Sequence, residues 1–124
     1  MPRERLPDRR QAETLDLWHG GRRYHLTIGQ YDDGRPGEVF VHGATVGSDV
    51  DGLCGDVAVL ISRLLQFGDD PASLASGIGR LGNGDPASIV GAIADVVADL
   101  LDCWTRERGW PRSATTPRRR ASAQ

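Results

Sequence analysis

A chain of 124 residues is long enough for one domain with a modest core and too short for two well-packed ones. An apolar fraction of 39% and a charged fraction of 26% are ordinary globular values, which excludes a wholly disordered or fibrous chain. The formal charge of −2 conceals a partition: four arginines stand against two acids in residues 1–12, five against fourteen in 13–105, and six against one in 106–124. The body is therefore acidic and the ends are basic. An acidic body repels phosphate, so nucleic acid could be held only through the arginine-rich ends, with strong salt dependence. The opening residues carry no apolar run of the kind a secretory leader needs, and no stretch approaches the roughly 20 apolar residues of a membrane span, so a cytoplasmic protein without a membrane partner is expected. Cys54 and Cys103 stand in no metal or redox spacing and are expected to be thiols.

In chain order, residues 1–12 form a basic N-terminal segment, 13–108 a single folded domain and 109–124 a basic tail whose Pro, Ser, Thr and Arg content predicts disorder. Glu13 to Trp18 reads as a strand, His19-Gly20-Gly21 as a turn, and Arg22 to Ile28 as the return strand with Tyr24, Leu26 and Ile28 on one face. After the turn-rich segment from Tyr31 to Gly37, residues Glu38 to His42 supply a third strand. Ser48 with Asp51 forms a capping box for a first helix running to about Phe67, with Gly68 as its stop. Val50, Leu53, Cys54, Val57, Leu60, Ile61, Leu64 and Leu65 fall on its apolar side, and Asp56, Arg63 and Gln66 opposite.

An internal repeat follows, Asp70-Pro71-Ala72-Ser73-Leu74 and Asp85-Pro86-Ala87-Ser88-Ile89, and in each copy the aspartate is expected to cap a helix that proline begins. The second helix is short and ends in Gly82 and Gly84, while the third reaches about Arg108. Ile89, Val90, Ile93, Val96, Val97, Leu100, Leu101 and Trp104 cover about half of the third helix, wider than one core requires, which predicts two neighbours and makes Val90, Val97, Leu101 and Trp104 a candidate self-association face. Its outer side carries Asp95, Asp99 and Asp102, the last four positions before Arg106. The fold expected is α+β, a small three-stranded antiparallel meander followed by three helices on one face.

Motifs with chemical content are weak. Gly77 to Gly82 matches GxGxxG, but that fingerprint works where a strand ends and a helix begins, and here it follows a short helix. Ser48 to Gly52 resembles the start of a calcium loop without the residues that close it, and helix capping explains it better. His19, His25 and His42 lie on strands or turns and lack a fourth ligand, so surface histidines are expected. No catalytic residue, cofactor site or metal site is assigned. Asp32, Asp33, Arg35 and Glu38, the densest charged cluster outside the ends, form a candidate partner-binding loop, although a turn is itself sufficient reason for Asp, Gly and Pro.

Four segments together resemble a known family: Arg3-Glu4-Arg5-Leu6-Pro7-Asp8-Arg9-Arg10, Tyr31 to Phe40, Leu64-Leu65-Gln66-Phe67-Gly68, and Ala87-Ser88-Ile89. They are similar to the C-terminal TSCPD domain of adenosylcobalamin-dependent, class II ribonucleotide reductases, over residues 3 to 101. The Thr-Ser-Cys-Pro-Asp string that names the domain is missing, with Asp85 to Ile89 in its region, and the family's catalytic barrel and terminal cysteine pair have no counterpart in these residues. The resemblance implies kinship with ribonucleotide reduction and DNA synthesis, and does not imply catalysis by this chain alone or a cofactor of its own. It implies an accessory module with a protein partner such as a reductase, and a homodimer is expected. The alternatives are a subunit of a split adenosylcobalamin-dependent reductase and nucleic-acid binding through the arginine-rich ends.

Overall fold

The computed structural model describes residues 2–107. Three strands, β1 (Ala12–His19), β2 (Arg22–Gln30) and β3 (Pro36–His42), form an antiparallel sheet in the order β1-β2-β3, and three helices follow, α1 (Asp49–Gln66), α2 (Pro71–Gly77) and α3 (Ile89–Glu107). This is the α+β architecture expected. β1 and β2 turn through Gly20 and Gly21, both at positive φ, which fits the two-residue hairpin that the right-handed twist of the strands favours. The register sets Leu15, Leu26 and Val41 side by side, and on the same face Leu17 beside Tyr24 and Ile28 beside Val39. Period-two alternation sends that set to one side of the sheet, where Cys54, Ala58 and Ile61 of α1 and Ala92, Ile93 and Val97 of α3 complete a single core.

α1 begins at Ser48, whose hydroxyl accepts from the Asp51 amide at 3.2 Å, and the Asp51 carboxylate accepts from the Gly47 amide at 3.0 Å. The Ser48 to Gly52 stretch is thus a helix cap. At the far end Gly68 takes positive φ and donates to the Leu65 carbonyl while Asp69 donates to Leu64, closing the helix where glycine was expected to stop it. In its middle Ser62 does more than fill a turn: its hydroxyl accepts from the Val39 amide at 2.9 Å, so α1 satisfies the outer edge of β3 as well as covering its face.

Four expectations are corrected. Gln66, assigned to the solvent side of α1, is buried, because its amide donates to the Gly37 carbonyl at 3.0 Å and its side-chain oxygen accepts from Arg3 at 2.5 Å. The two repeat copies differ: Asp70 caps α2 through the Ala72 amide, whereas Asp85 and Pro86 stay outside α3. Pro86 bridges Arg80, Asp85 accepts at its carbonyl from Leu81, and Ser88 takes over at the start of α3, its hydroxyl accepting from Gly91. α2 accordingly ends at Gly77, earlier than Gly82. Asp95, assigned to the outer side of α3, is 3% exposed and holds Arg80 through two hydrogen bonds of 2.7 and 2.5 Å. That guanidinium also donates to the Ala75 carbonyl, locking the end of α2 against α3, and its hydrogen bonds to the Asp95 carboxylate hold Arg80 above its ordinary pKa. The GxGxxG stretch is therefore the loop that carries Arg80 to its partner. The disordered tail expected at 109–124 lies outside the described residues.

Candidate functional site at the loop corner

The loop between β2 and β3 carries Asp32, Asp33, Arg35 and Glu38, and the N-terminal segment lies across it. Tyr31 and Gly34 close the turn, with the Tyr31 amide donating to the Arg35 carbonyl and the Gly34 amide to the Tyr31 carbonyl. Tyr31 is 7% exposed, and its hydroxyl donates to the Glu4 carbonyl at 2.6 Å. Burial, with Glu4 nearby, raises the phenol above its usual pKa. Arg35 stacks 4.4 Å above the Tyr31 ring and donates to the Glu4 carboxylate at 2.7 Å. On the other side of Gly37, the Glu4 amide donates to the Gln66 carbonyl at 2.8 Å, so one acidic residue ties the N-terminal segment to both the loop and α1.

Gly37 is where these parts meet. A Cβ there would stand 2.6 Å from the Tyr31 ring and 2.9 Å from Leu6, so only glycine lets the segment pass. Farther along, Glu38 crosses over Gly29 to pair with Arg10 at 2.6 Å, and the Gln30 amide donates to the Gln11 carbonyl, bringing the segment into β1. Of the four loop residues proposed to meet a partner, Asp33 accepts from the Arg35 amide and its carbonyl accepts from the Trp104 indole at 2.6 Å, while Arg35 and Glu38 are paired as described. Asp32 is exposed. The loop is thus an internal clasp before it is anything else.

Beside it lies a cleft of about 320 Å³ whose walls include Gln11, Gln30, Pro36, Cys103 and Trp104. Cys103 is exposed, whereas Cys54 is buried in the core, where burial, then Asp51, raises its thiol pKa. His25 and His42 are neighbours across β2 and β3, but His25 is held by Asp16 at 2.8 Å, and among the described residues no cluster of three His, Cys, Asp or Glu could hold a metal.

The candidate self-association face on α3 is also redistributed. Val97 is 1% exposed and belongs to the monomer core, while Val90, Leu101 and Trp104 are half-buried. The wide apolar arc of α3 is explained within the chain, since α3 packs on the sheet on one side and on α2 on the other. Large exposed apolar residues instead line α1: Val50, Leu53, Val59 and Leu60, with Val46 before it and Phe67 at its end. All of these but Val59, together with the half-buried Val57 and Leu64, alternate four and three along the chain from Val46 through Val50, Leu53, Val57, Leu60, Leu64 and Phe67, a signal present in the sequence but absorbed there into one broad apolar side. No helix among the described residues is long and apolar enough to cross a membrane.

The vitamin B12-dependent ribonucleotide reductase of Rhodopirellula baltica is 41% identical over 66 residues, covering 53% of this chain and 6% of the reductase. The enzymes of the same name from Bradyrhizobium diazoefficiens and Agrobacterium fabrum are each 38% identical over 66 residues, 53% of this chain and 5% of theirs. The chain therefore spans only a small part of the curated relatives it matches. No solved structure matches it significantly. The TSCPD domain family matches residues 2–101, from the clasped N-terminal segment to the last turns of α3, and the chain belongs to that family.

Proposed function

We propose that this chain is a non-catalytic accessory domain of nucleotide metabolism, acting in the cytoplasm by docking to a ribonucleotide reductase or to another protein of DNA synthesis. One observation carries this reading: the family match takes in nearly all of the folded chain, yet the similarity covers 5–6% of each reductase it resembles. The pairing at the corner is consistent with a scaffold, because Glu4, Arg10, Arg35 and Glu38 are consumed in holding the N-terminal segment in place. Asp32, exposed at the tip of the same rigid loop, is the residue best placed to meet a partner.

Titrating the full chain into the purified vitamin B12-dependent reductase of the same cell tests this directly, by calorimetry or sedimentation. Saturable binding is expected, weakened several-fold by Asp32→Arg. Absence of binding overturns the reductase as partner. Reduction of any ribonucleotide by the isolated chain supplied with adenosylcobalamin and a dithiol overturns the non-catalytic role.

A further inference from the structure

We propose that α1 is a dimerisation helix, pairing antiparallel with α1 of a second copy of this chain through its exposed apolar seam. Val50, Val57 and Leu64 take the a positions and Leu53, Leu60 and Phe67 the d positions of successive heptads, the 3.5-residue repeat that keeps one stripe facing a partner helix. Val46 prolongs the stripe before the helix begins. Within the monomer Val57 and Leu64 are half-buried, but the rest of the stripe is uncovered: Val46 is 91% exposed, Leu53 58% and Leu60 60%. The monomer core is built mainly on Cys54, Ala58 and Ile61, with Val57 packed at its margin, so it is the d side of the seam, Leu53, Leu60 and Phe67, that folding leaves exposed.

The charges beside the seam choose the occupant and its direction. Asp56 and Arg63 occupy consecutive g positions, both exposed, and neither has an ion-pair partner among the described residues. In an antiparallel pair the g positions face each other. With Val57 set against the partner's Leu60, Asp56 lies two residues from level with the partner's Arg63, within reach of its long side chain, and the two-fold axis repeats the contact, giving two reciprocal ion pairs. A parallel pair would set g against e, and here the e positions are Cys54 and Ile61, both turned into the monomer core. A partner helix of uniform charge would satisfy only one of the two residues, whereas a second copy satisfies both.

Sedimentation equilibrium of the full chain tests the pairing. A monomer–dimer equilibrium is expected, and Leu60→Glu, at an exposed site that leaves the circular dichroism and melting unchanged, should weaken it about tenfold or more. Asp56→Arg and Arg63→Asp should each weaken the dimer several-fold at low salt, and the double exchange should restore it to within about twofold, a rescue that general disruption of the helix would not show. A chain that stays monomeric up to about 1 mM overturns the proposal, as does a dimer indifferent to both Leu60→Glu and the charge exchange, which would place the contact elsewhere. The proposal is independent of reductase docking, whose assay reads a different surface.

Discussion

Tyr31 shows how much of the corner depends on one protonation state. Its hydroxyl donates to the Glu4 carbonyl from a nearly closed pocket, and ionisation would remove that donor while leaving a charge beside Glu4. Because the folded phenol titrates above its unfolded value near 10, the folded chain holds a proton that the unfolded chain releases. The contribution of Tyr31 is thus complete below about pH 10 and is lost as pH rises through the folded pKa. Thermal melting followed from pH 8 to 11.5 should show falling stability at the alkaline end. Tyr31→Phe should cost about 1 kcal/mol at neutral pH and flatten the alkaline decline. An unchanged decline in that variant would locate the titrating group elsewhere.

The two Asp-Pro-Ala-Ser segments illustrate what local sequence does and does not decide about elements. Both carry the same capping chemistry, yet only Asp70 caps a helix, because the second copy is drawn into a turn by Asn83, Leu81 and the bridge between Arg80 and Pro86. Asp70→Ala should therefore destabilise the fold by about 1 kcal/mol as a lost N-cap. In Asp85→Ala any loss should come from the turn, leaving the hydrogen-exchange protection of the first turn of α3 unchanged; loss of protection there would contradict the assignment of its start to Ser88. The strands, their order, the caps of α1 and α2 and the Gly68 stop were legible from alternation and turn chemistry. The destinations of Gln66 and Asp95 were not, since a polar residue on a helix is expected to face water unless its partner, here Gly37 or Arg80, is distant in sequence. The exposed seam of α1 was hidden by its own regularity, because an apolar residue facing solvent and one facing the core look alike until the sheet has taken its side.

At the scale of the whole molecule, the N-terminal segment is part of the fold. Residues 3–11 reach Gln66 on α1, the 31–38 loop and the start of β1, so they join elements that are otherwise far apart in the chain. Deleting residues 2–10 should lower the melting temperature by more than about 5 °C and expose Tyr31 to solvent, seen as a shift of its phenol titration toward 10. A truncated chain that melts with the full one would show that the segment only rests on the surface. The candidate loop, read from sequence as a charged surface cluster, owes its rigidity to this arrangement, which no spacing of Asp, Arg and Glu could have announced.

Ser62 and the body of α1 seal the sheet along β3, and β1 pairs only with β2 among the described residues. Growth of the sheet is consequently one-sided: an added strand, whether from a neighbouring polypeptide or from misassembly, has to align beside Ala12–His19. There Glu13 and Asp16 supply the negative charge that discourages indiscriminate stacking and admits only a strand able to answer it.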